Sequence, residues 1–457
     1  MNQYRELDEL ICGEIWTSMD LEENHRRLCL EYPGRFSGSP EGFGAAEYIV
    51  DTLTSYGVNP LQKETYETIF WKRGTAECRI LSPVNRELPC LALPYSPACN
   101  REFSLVDLGM GHPVDLERMC HLIKGNAILV DDNNPPAGPH LHRLQKYVPL
   151  VKSEAGAFLF VNKSPGMLAP TGSLAFNQSR EMDQALPAVG LPFETGAELR
   201  YWLNRNGSLN LKLVMNNSLF RGQESNIIAD ISGPDPNGSM VLITAHYDGH
   251  DISHASVDNA SGTAVVMEIA RVLFKHRHQL KGTVRCILFA GEEMGLLGSH
   301  HHVKKQVKTL DSIRFQFNLD CVGHDSRLAL MIHNASQVKT WLETQAKQLP
   351  APIDIQEYLV PFSDHFPFYL QGVPGAFCVT PGRDGRGWGH TYADSFEKTS
   401  MEALHKVAAY IARLVIRVDH EKDWRCQRQT LQAIRKEIEP YNVEELLQFE
   451  GHWPFSP

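Results

Sequence analysis

The feature that most constrains the fold is a series of short apolar runs that begins near residue 223 and alternates with helical stretches. The runs are IIADI, MVLITAHYD, TVRCILFAG, IRFQFNLD, LALMIHN and GAFCVTP. Buried strands that alternate with helices predict an α/β fold, in which a mostly parallel, mixed sheet is sandwiched by helices. Apolar residues at helical spacing predict the helices themselves, over residues 261–277, 294–306, 336–348 and 400–417.

The chain before this region divides into two parts of different composition. Residues 1–94 contain an amphipathic stretch, FGAAEYIVDTLTSYG, and are predicted to be the N-terminal part of the same domain. Residues 95–213 are rich in Pro, Gly and Asn around short apolar runs, which predicts a β-rich inserted domain. Residues 214–425 then form the main domain, and residues 426–457 are a C-terminal extension for which packing is favoured over self-association.

Composition excludes several partners. With 44 Lys and Arg against 54 Asp and Glu, the net charge of −10 provides no positive field for nucleic acid or anionic lipid. No apolar run reaches the length of a membrane span, and the acidic start lacks the pattern of a secretory signal, so the expected location is cytoplasmic. The ten cysteines show no paired spacing and are expected to be reduced and mostly buried.

Charged residues follow three of the predicted strands. His246 and Asp248 end the first, Glu292 and Glu293 end the second, and Asp320 ends the third. The carboxyl ends of parallel strands meet at one edge of a sheet, where ligands bind. Buried carboxylates there would repel one another, and the loss of their hydration would cost free energy unless a cation offset it. The pattern therefore predicts a divalent metal site.

Two further candidates lie in loops. Asp258 precedes a turn in which Ser261 is placed to cap the next helix, and its two carboxylate oxygens are suited to bridging two metals. His390 follows a Gly-rich loop that can bring its imidazole over the same edge. Asp394 is either a hydrogen-bond acceptor behind a ligand or a helix cap, and Asp248 is placed to bind the second ring nitrogen of His246.

These residues lie in a series of motifs that resembles a known family. The motifs are HYD, VDNASG, GEEMGLLGS, NLD, SDHFPFYLQGVPGAF and GHTYADSFEK, and they span about residues 223–417. In order and spacing they resemble the two-zinc aminopeptidase Y family, which includes bacterial leucyl aminopeptidases and plasma glutamate carboxypeptidase. The middle region is similar to the protease-associated domain that members of that family carry, through KGNAILVDD, EAGAFLFVN and LPAVGLPFETGAELRYWL.

The resemblance implies a ligand set for two Zn²⁺ ions, although Co²⁺ or Mn²⁺ would also suit such ligands. It implies that Asp258 bridges the ions, that His246 and Asp320 complete one site, and that Glu293 and His390 complete the other. It also implies a cis peptide bond after Asp258.

The implied catalyst is a metal-bound water. Glu292 takes the proton of this water and passes it to the leaving amine of a peptide substrate, while Asp248 orients His246. Members of the family often stabilise the oxyanion with a tyrosine before the last histidine, and TPGRDGRGWGH contains none. Tyr392 and Arg386 are the first candidates for that role, ahead of Trp388 and Arg383.

Other histidines give weaker metal signals. His250 and His254 in HDISH resemble the HExxH pattern in spacing but follow Gly249 in a loop, so a substrate-pocket or surface role is favoured. The consecutive histidines of SHHHV point in different directions on a helix. An aminopeptidase is therefore the leading hypothesis, and the alternatives are a carboxypeptidase or dipeptidase, a one-zinc glutaminyl cyclase-like enzyme, and a catalytically silent binding relative.

Overall fold

The computed structural model of the chain describes residues 4–136, 140–179, 185–234, 236, 238–382 and 387–455. Internal packing divides the chain into two compact units. The first unit comprises residues 1–67, 223–383 and 394–437, and the second comprises residues 68–222, 384–393 and 438–457.

The α-helices are, in chain order, α1 (Arg5–Thr17), α2 (Asp20–Leu30), α3 (Pro40–Ser55), α4 (Pro113–Met119), α5 (Arg143–Lys152), α6 (Phe193–Asn206), α7 (Ser261–Lys275), α8 (Leu297–Lys305), α9 (Lys339–Ala346), α10 (Phe366–Leu370), α11 (Met401–His420), α12 (Leu431–Ile438) and α13 (Glu444–Glu450). The helices expected from apolar spacing are all present. Helix α8 begins three residues later than expected, because Gly295 and Leu296 have left-handed backbone angles (φ +103° and +58°) that end the preceding turn.

The strands are β1 (Leu61–Lys72), β2 (Ala76–Ser82), β3 (Arg86–Leu88), β4 (Leu91–Ala92), β5 (Cys99–Asp107), β6 (Ala127–Asp131), β7 (Ala157–Val161), β8 (Ala188–Leu191), β9 (Asn210–Met215), β10 (Ser218–Ser232), β11 (Met240–His246), β12 (Thr283–Phe289), β13 (Ile313–Leu319), β14 (Ala329–His333), β15 (Asp354–Glu357) and β16 (Gly375–Val379). They form two sheets.

The sheet of the first unit has the order β1-β10-β12-β11-β13-β16-β14-β15. Its centre is parallel, since β11 pairs in parallel with both β12 and β13, and β13 pairs in parallel with β16. Antiparallel pairing occurs where β10 meets β12 and where β14 meets β16. The predicted α/β class and the mostly parallel, mixed sheet are confirmed.

Alternate residues of the central strands pack into different apolar clusters. Val241 and Ile243 belong to a cluster that includes Leu28 of α2 and Ile269 of α7, whereas Leu242 belongs to one with Phe368 of α10. Successive side chains of a strand point to opposite faces, so both faces of the sheet are covered by helices.

The second unit has a sheet of its own, in the order β3-β2-β9-β5-β6-β7-β8-β4. Strands β5 to β8 are parallel, and β2 and β9 pair antiparallel at one side. The unit begins at residue 68, ahead of the insert expected over residues 95–213, because β2 and β3 contribute to its sheet. Strands β2 and β9 lie far apart in the sequence, so no local pattern of residues predicts that they pair.

The end of the chain also belongs to the second unit. Helix α13 packs against α5, the Lys152 ammonium lies 2.7 Å from the Glu445 carboxylate, and the Gln145 side-chain amide donates to the carbonyls of Tyr441 and Asn442. Residues 438–457 of the predicted C-terminal extension thus belong to this unit, whereas residues 426–437 belong to the first unit. All ten cysteines are free thiols and seven are buried, as expected from their spacing. Among the described helices, none has both the length and the apolar character needed to cross a membrane.

Candidate metal centre

The candidate site lies at the carboxyl ends of neighbouring strands of the first unit. Strands β12, β11 and β13 lie side by side and run in parallel. His246 ends β11, Glu292 and Glu293 follow β12, and Asp320 follows β13. The parallel arrangement therefore brings an imidazole and carboxylates from three strands to a single edge, as the sequence predicted.

A tight cluster forms around His246. Its Nε2 atom lies 3.2 Å from Oδ1 of Asp258 and 3.5 Å from Oδ1 of Asp320. All three side chains are buried, and they form a group that could hold a metal ion. The structure thus brings together three of the residues singled out as ligands, one from each of two strands and one from a loop.

Asp258 is held by a turn that precedes α7. The turn spans Ser256–Ala260, and the Asp258–Asn259 peptide bond is cis, as the family resemblance implied. The Asp394 carboxylate accepts hydrogen bonds from the backbone N–H groups of Val257 and Asp258, at 3.0 and 3.1 Å. Asp394 therefore acts as an acceptor behind a candidate ligand.

The cap of α7 differs from the expectation for Ser261. The side-chain oxygen of Asn259 accepts the N–H of Gly262, while the Ser261 hydroxyl donates to the carbonyl of Val257. Asn259 also donates to the carbonyl of Leu319, at the end of β13. The residue after Asp258 thus ties the turn to a neighbouring strand.

A second pair of candidate ligands lies in the same unit. Nε2 of His250 is 2.9 Å from Oε2 of Glu293, and both side chains are buried. A surface role for His250 is therefore wrong, because the loop after β11 turns the ring inward, and a substrate-pocket role stays a prediction. The HDISH spacing was the signal, but only the path of the loop decides which way His250 points.

Asp248 connects the two groups. Its carboxylate accepts hydrogen bonds from the backbone N–H groups of Glu292 and Glu293, both at 3.2 Å, and its Oδ1 lies 3.5 Å from Nδ1 of His246. Nδ1 of His246 is also 3.1 Å from the backbone carbonyl of Asp248. The side chain thus lies beside the imidazole, as expected, and fixes the turn that presents both glutamates.

Asp320 is oriented by neutral donors. The Ser363 hydroxyl donates to its Oδ2 at 2.7 Å, and the Cys321 thiol donates to its Oδ1 at 2.8 Å. Ser363 in turn accepts from the side-chain amide of Asn318, which lies on β13. Sequence reasoning did not single out Ser363, because its segment reaches the site only through the fold.

The electrostatics of the site reflect an excess of acid. Burial lowers the pKa of His246, but the carboxylates of Glu292, Asp248, Asp258 and Asp320 raise it, and the net result is well above the ordinary value. Burial also raises the pKa of Glu292 well above its ordinary value, against the influence of His246. Such displaced values are typical of residues that exchange protons or bind cations.

One further carboxylate near the cluster was absent from the sequence predictions. Asp364 is fully buried, and burial raises its pKa to about 7, while the positive charge of His246 opposes the change. Its motif was quoted for the family resemblance, yet nothing in the spacing of SDHFPF indicated that the Asp points towards the acidic cluster.

The donor set around His246 fits a metal ion. Nε2 of His246 is buried and makes no hydrogen bond within the described part of the chain, although carboxylate oxygens lie 3.2 and 3.5 Å away. An imidazole nitrogen between carboxylate oxygens matches the ligands that Zn²⁺ takes in proteins. The residues present therefore suit a divalent cation, and their role as ligands stays a prediction.

The remaining predicted residues lie outside this cluster's unit or outside the described residues. His390 and Tyr392 belong to the second unit, where the His390 carbonyl accepts a hydrogen bond from the N–H of Thr171 at 2.8 Å. Tyr392 is 56% exposed. Arg383 and Arg386 lie outside the described residues. The proposed roles of these side chains stay predictions.

Comparison with known proteins agrees with this fold. Residues 226–415 match the peptidase family M28. Aminopeptidase YwaD of Bacillus subtilis (strain 168) is 28% identical over 301 residues, which are 64% of this chain and 60% of that protein. This chain thus covers less than two thirds of that relative. The segment that matches the family is less than half of this chain.

Solved structures show the same architecture. A peptidase M28 precursor from Shewanella amazonensis SB2B superposes with a TM-score of 0.78 at 21% identity, over 93% of this chain and 99% of that one. A zinc aminopeptidase from Bacillus subtilis superposes with a TM-score of 0.66 at 23% identity, over 89% of this chain and 96% of that one. At these identities the likeness establishes the α/β fold.

Proposed function

We propose that this protein is a zinc-dependent exopeptidase that removes N-terminal residues from peptides. The observation that carries the proposal is the position of His246, whose buried Nε2 lies between carboxylate oxygens of Asp258 and Asp320 without a hydrogen bond in the described structure. The names of the relatives, aminopeptidase YwaD and a zinc aminopeptidase, support both the reaction and the metal.

The proposed ligand set has two halves. His246 and Asp320 would hold one Zn²⁺ ion and Glu293 and His390 the other, with Asp258 shared between them. His250 lies 2.9 Å from Glu293. It would either hydrogen-bond to this carboxylate or bind the metal ion that Glu293 is proposed to hold. Two metals at such a site would lower the pKa of a bound water and polarise the scissile carbonyl. The proposal includes membership of the aminopeptidase Y family and, for the second unit, a protease-associated domain.

Glu292 is the proposed general base and general acid. Its backbone is fixed by the Asp248 carboxylate, so that the adjacent Glu293 can serve as a ligand while Glu292 stays free. Glu292 would take the proton from the attacking water and deliver it to the nitrogen of the leaving amine as the peptide C–N bond breaks. The raised pKa of its carboxyl group suits a residue that must hold that proton between the two steps.

The experiment that tests the proposal uses one peptide in two forms, with a free and with an acetylated amino terminus. An aminopeptidase binds the free terminal amine, so the zinc-loaded protein should hydrolyse the first form and lose most of its activity on the second. Release of the first residue is measured by mass spectrometry. Equal cleavage of both forms would point to a carboxypeptidase or amidase, and cleavage of neither, with zinc bound, to a silent binding relative.

A further inference from the structure

The loop formed by residues 247–258 carries part of the candidate site, and it follows β11 and precedes α7. We call it the ligand loop. It contains Asp248, His250 and Asp258, yet no strand or α-helix holds it between His246 and Ser261. Its Ala255 has a left-handed backbone (φ 47°, ψ 48°), a conformation that costs a non-glycine residue about 1 kcal/mol or more. Something outside the loop must therefore stabilise its path.

Arg35 makes the contacts that hold it. Its guanidinium is fully buried and donates hydrogen bonds to three carbonyls of the ligand loop: Nε to Tyr247 at 2.7 Å, Nη1 to His254 at 2.7 Å, and Nη2 to Ala255 at 2.7 Å. A fourth bond, from Nη1 to the carbonyl of Leu28 at 3.3 Å, ties the group to the end of α2. The fixed fork of an arginine suits several carbonyls that face one point.

The backbone around Arg35 is fitted to the same loop. The N–H of Gly34 donates to the carbonyl of Ser253, and the N–H of Gly249 donates to the carbonyl of Arg35. Gly34 has φ +65°, and a Cβ atom there would lie 2.9 Å from the carbonyl oxygen of Asp251. Only a glycine permits this approach, so the turn that presents Arg35 is shaped to lie against the ligand loop.

The positive charge of Arg35 faces backbone carbonyls. Within the described residues, no carboxylate lies within 4.0 Å of its guanidinium, and the hydrogen bonds of its side chain go to backbone carbonyls. The positive charge instead acts at longer range on Asp394, Asp248 and Asp258. By charge alone, Arg35 would oppose the binding of a cation at these acids. Its benefit to the site must then come from geometry.

We propose that Arg35 is a positioning residue, which holds the ligand loop in the conformation that binds metal and so sets the affinity of the site for zinc. The proposal rests on the function proposed above. Removing the donors that orient a ligand commonly weakens metal binding about 10- to 100-fold. The loss should be of this size because the three carbonyls belong to the segment that carries Asp248 and Asp258.

The test compares zinc affinity in full-length variants, measured on metal-free protein by competition with a chromogenic chelator. Arg35→Lys keeps the charge but cannot reach all three carbonyls, and Arg35→Met removes the charge as well. Both should bind zinc about 10- to 100-fold more weakly than the wild type. If Arg35 acted only through its charge, Arg35→Lys would bind zinc normally and Arg35→Met more tightly, and either result would overturn the proposal.

Arg417→Lys is the matched control. Arg417 is also fully buried, but it pairs with Asp8, at 2.7 Å, on the N-terminal helix. This variant should lose stability, measured by chemical denaturation without metal, and keep its zinc affinity. Equal loss of affinity in the control would mean that any weakened core impairs the site, which contradicts a specific role for Arg35.

Two other outcomes are also decisive. A wild-type protein that binds no zinc in the same titration would refute the proposed function, and this inference with it. A wild type that binds zinc while neither Arg35 variant folds, even with zinc present, would make Arg35 a requirement for folding and not a positioning residue.

Discussion

The two edges of the first unit's sheet are both rich in charge, but the charges are arranged differently. At the carboxyl edge, acids from several strands surround one imidazole, and the donors that reach them are mostly neutral. At the amino edge, the Asp419 carboxylate accepts the backbone N–H groups of Lys281 and Gly282 at 2.7 and 2.8 Å, and Glu421 accepts from the indole of Trp341. The carboxyl edge has an excess of buried carboxylates, whereas the carboxylates of the amino edge accept hydrogen bonds from neighbouring groups of the protein.

The difference shows why cavity size alone does not locate chemistry. A cleft of about 1490 Å³ lies at the amino edge, next to Arg314, Lys281 and Trp424. Arg314 there donates to the carbonyls of Asp419 and Glu421. A charged group that is already bonded in this way gains little from a ligand, whereas a buried acid without a compensating cation gains much.

The largest expected effect follows from changing a glutamate at each edge. Glu292→Gln should lower peptide hydrolysis by about 10³-fold, because the amide can neither accept nor deliver the proton. Zinc content, measured by elemental analysis, should stay at the wild-type level. Glu421→Gln makes the same change at the amino edge and should leave hydrolysis unaltered. Normal hydrolysis by Glu292→Gln would refute the role given to this carboxylate.

A matched pair of aspartates gives the next effect. Asp320→Asn should weaken zinc binding at least about 100-fold, since loss of a ligand costs more than loss of the group that orients one. Asp419→Asn should leave zinc binding intact and lower the free energy of unfolding by about 1 to 3 kcal/mol, because one backbone N–H then faces an amide donor. Chelator competition and urea denaturation measure the two quantities.

The contrast between the two edges would be refuted if Asp320→Asn and Asp419→Asn each gave the result expected of the other. Loss of zinc from Asp419→Asn, or normal zinc binding by Asp320→Asn, would mean that the acids of the carboxyl edge have no special relation to a cation. Equal destabilisation of both variants without any change in metal would point to a purely structural role for both carboxylates.

Sequence patterns predicted the carboxyl edge well because its parts are set by local rules. A parallel strand followed by a polar residue places that residue at a known edge, which is how His246, Glu293 and Asp320 were found. The helices followed in the same way from apolar spacing. These inferences need only the chain within a few residues of each strand.

Other parts of the site depend on contacts between distant segments. His250 points inward because of the path of the ligand loop, Ser363 reaches Asp320 from 43 residues away, and Arg35 contacts carbonyls more than 200 residues away. The start of the second unit depends on such a contact as well, since β2 pairs with β9 across the unit. No spacing rule records such contacts.

The smallest expected effect compares histidines at the two edges. His246, among acids, has a raised pKa, whereas burial lowers the pKa of His333, beside Gly375 at the start of β16, from 6.5 to about 3. Below pH 6.5 the unfolded chain therefore takes up a proton that the folded protein refuses, and stability falls as the pH drops towards 3. One such proton contributes up to about 1.4 kcal/mol per pH unit. His365, whose ring centroid is 4.9 Å away, is also buried and contributes in the same direction.

The variant His333→Phe isolates this contribution. Urea denaturation of wild type and variant at pH 7.5, 6, 5 and 4 gives two curves of unfolding free energy. The constant offset between them reports packing, and only the change of that offset with pH reports the proton. The wild type should lose more stability than the variant with each step below pH 6.5, because only its unfolded state gains the His333 charge. Parallel curves would mean that the folded protein accepts the proton, and that the amino edge can compensate a buried imidazolium as the carboxyl edge does.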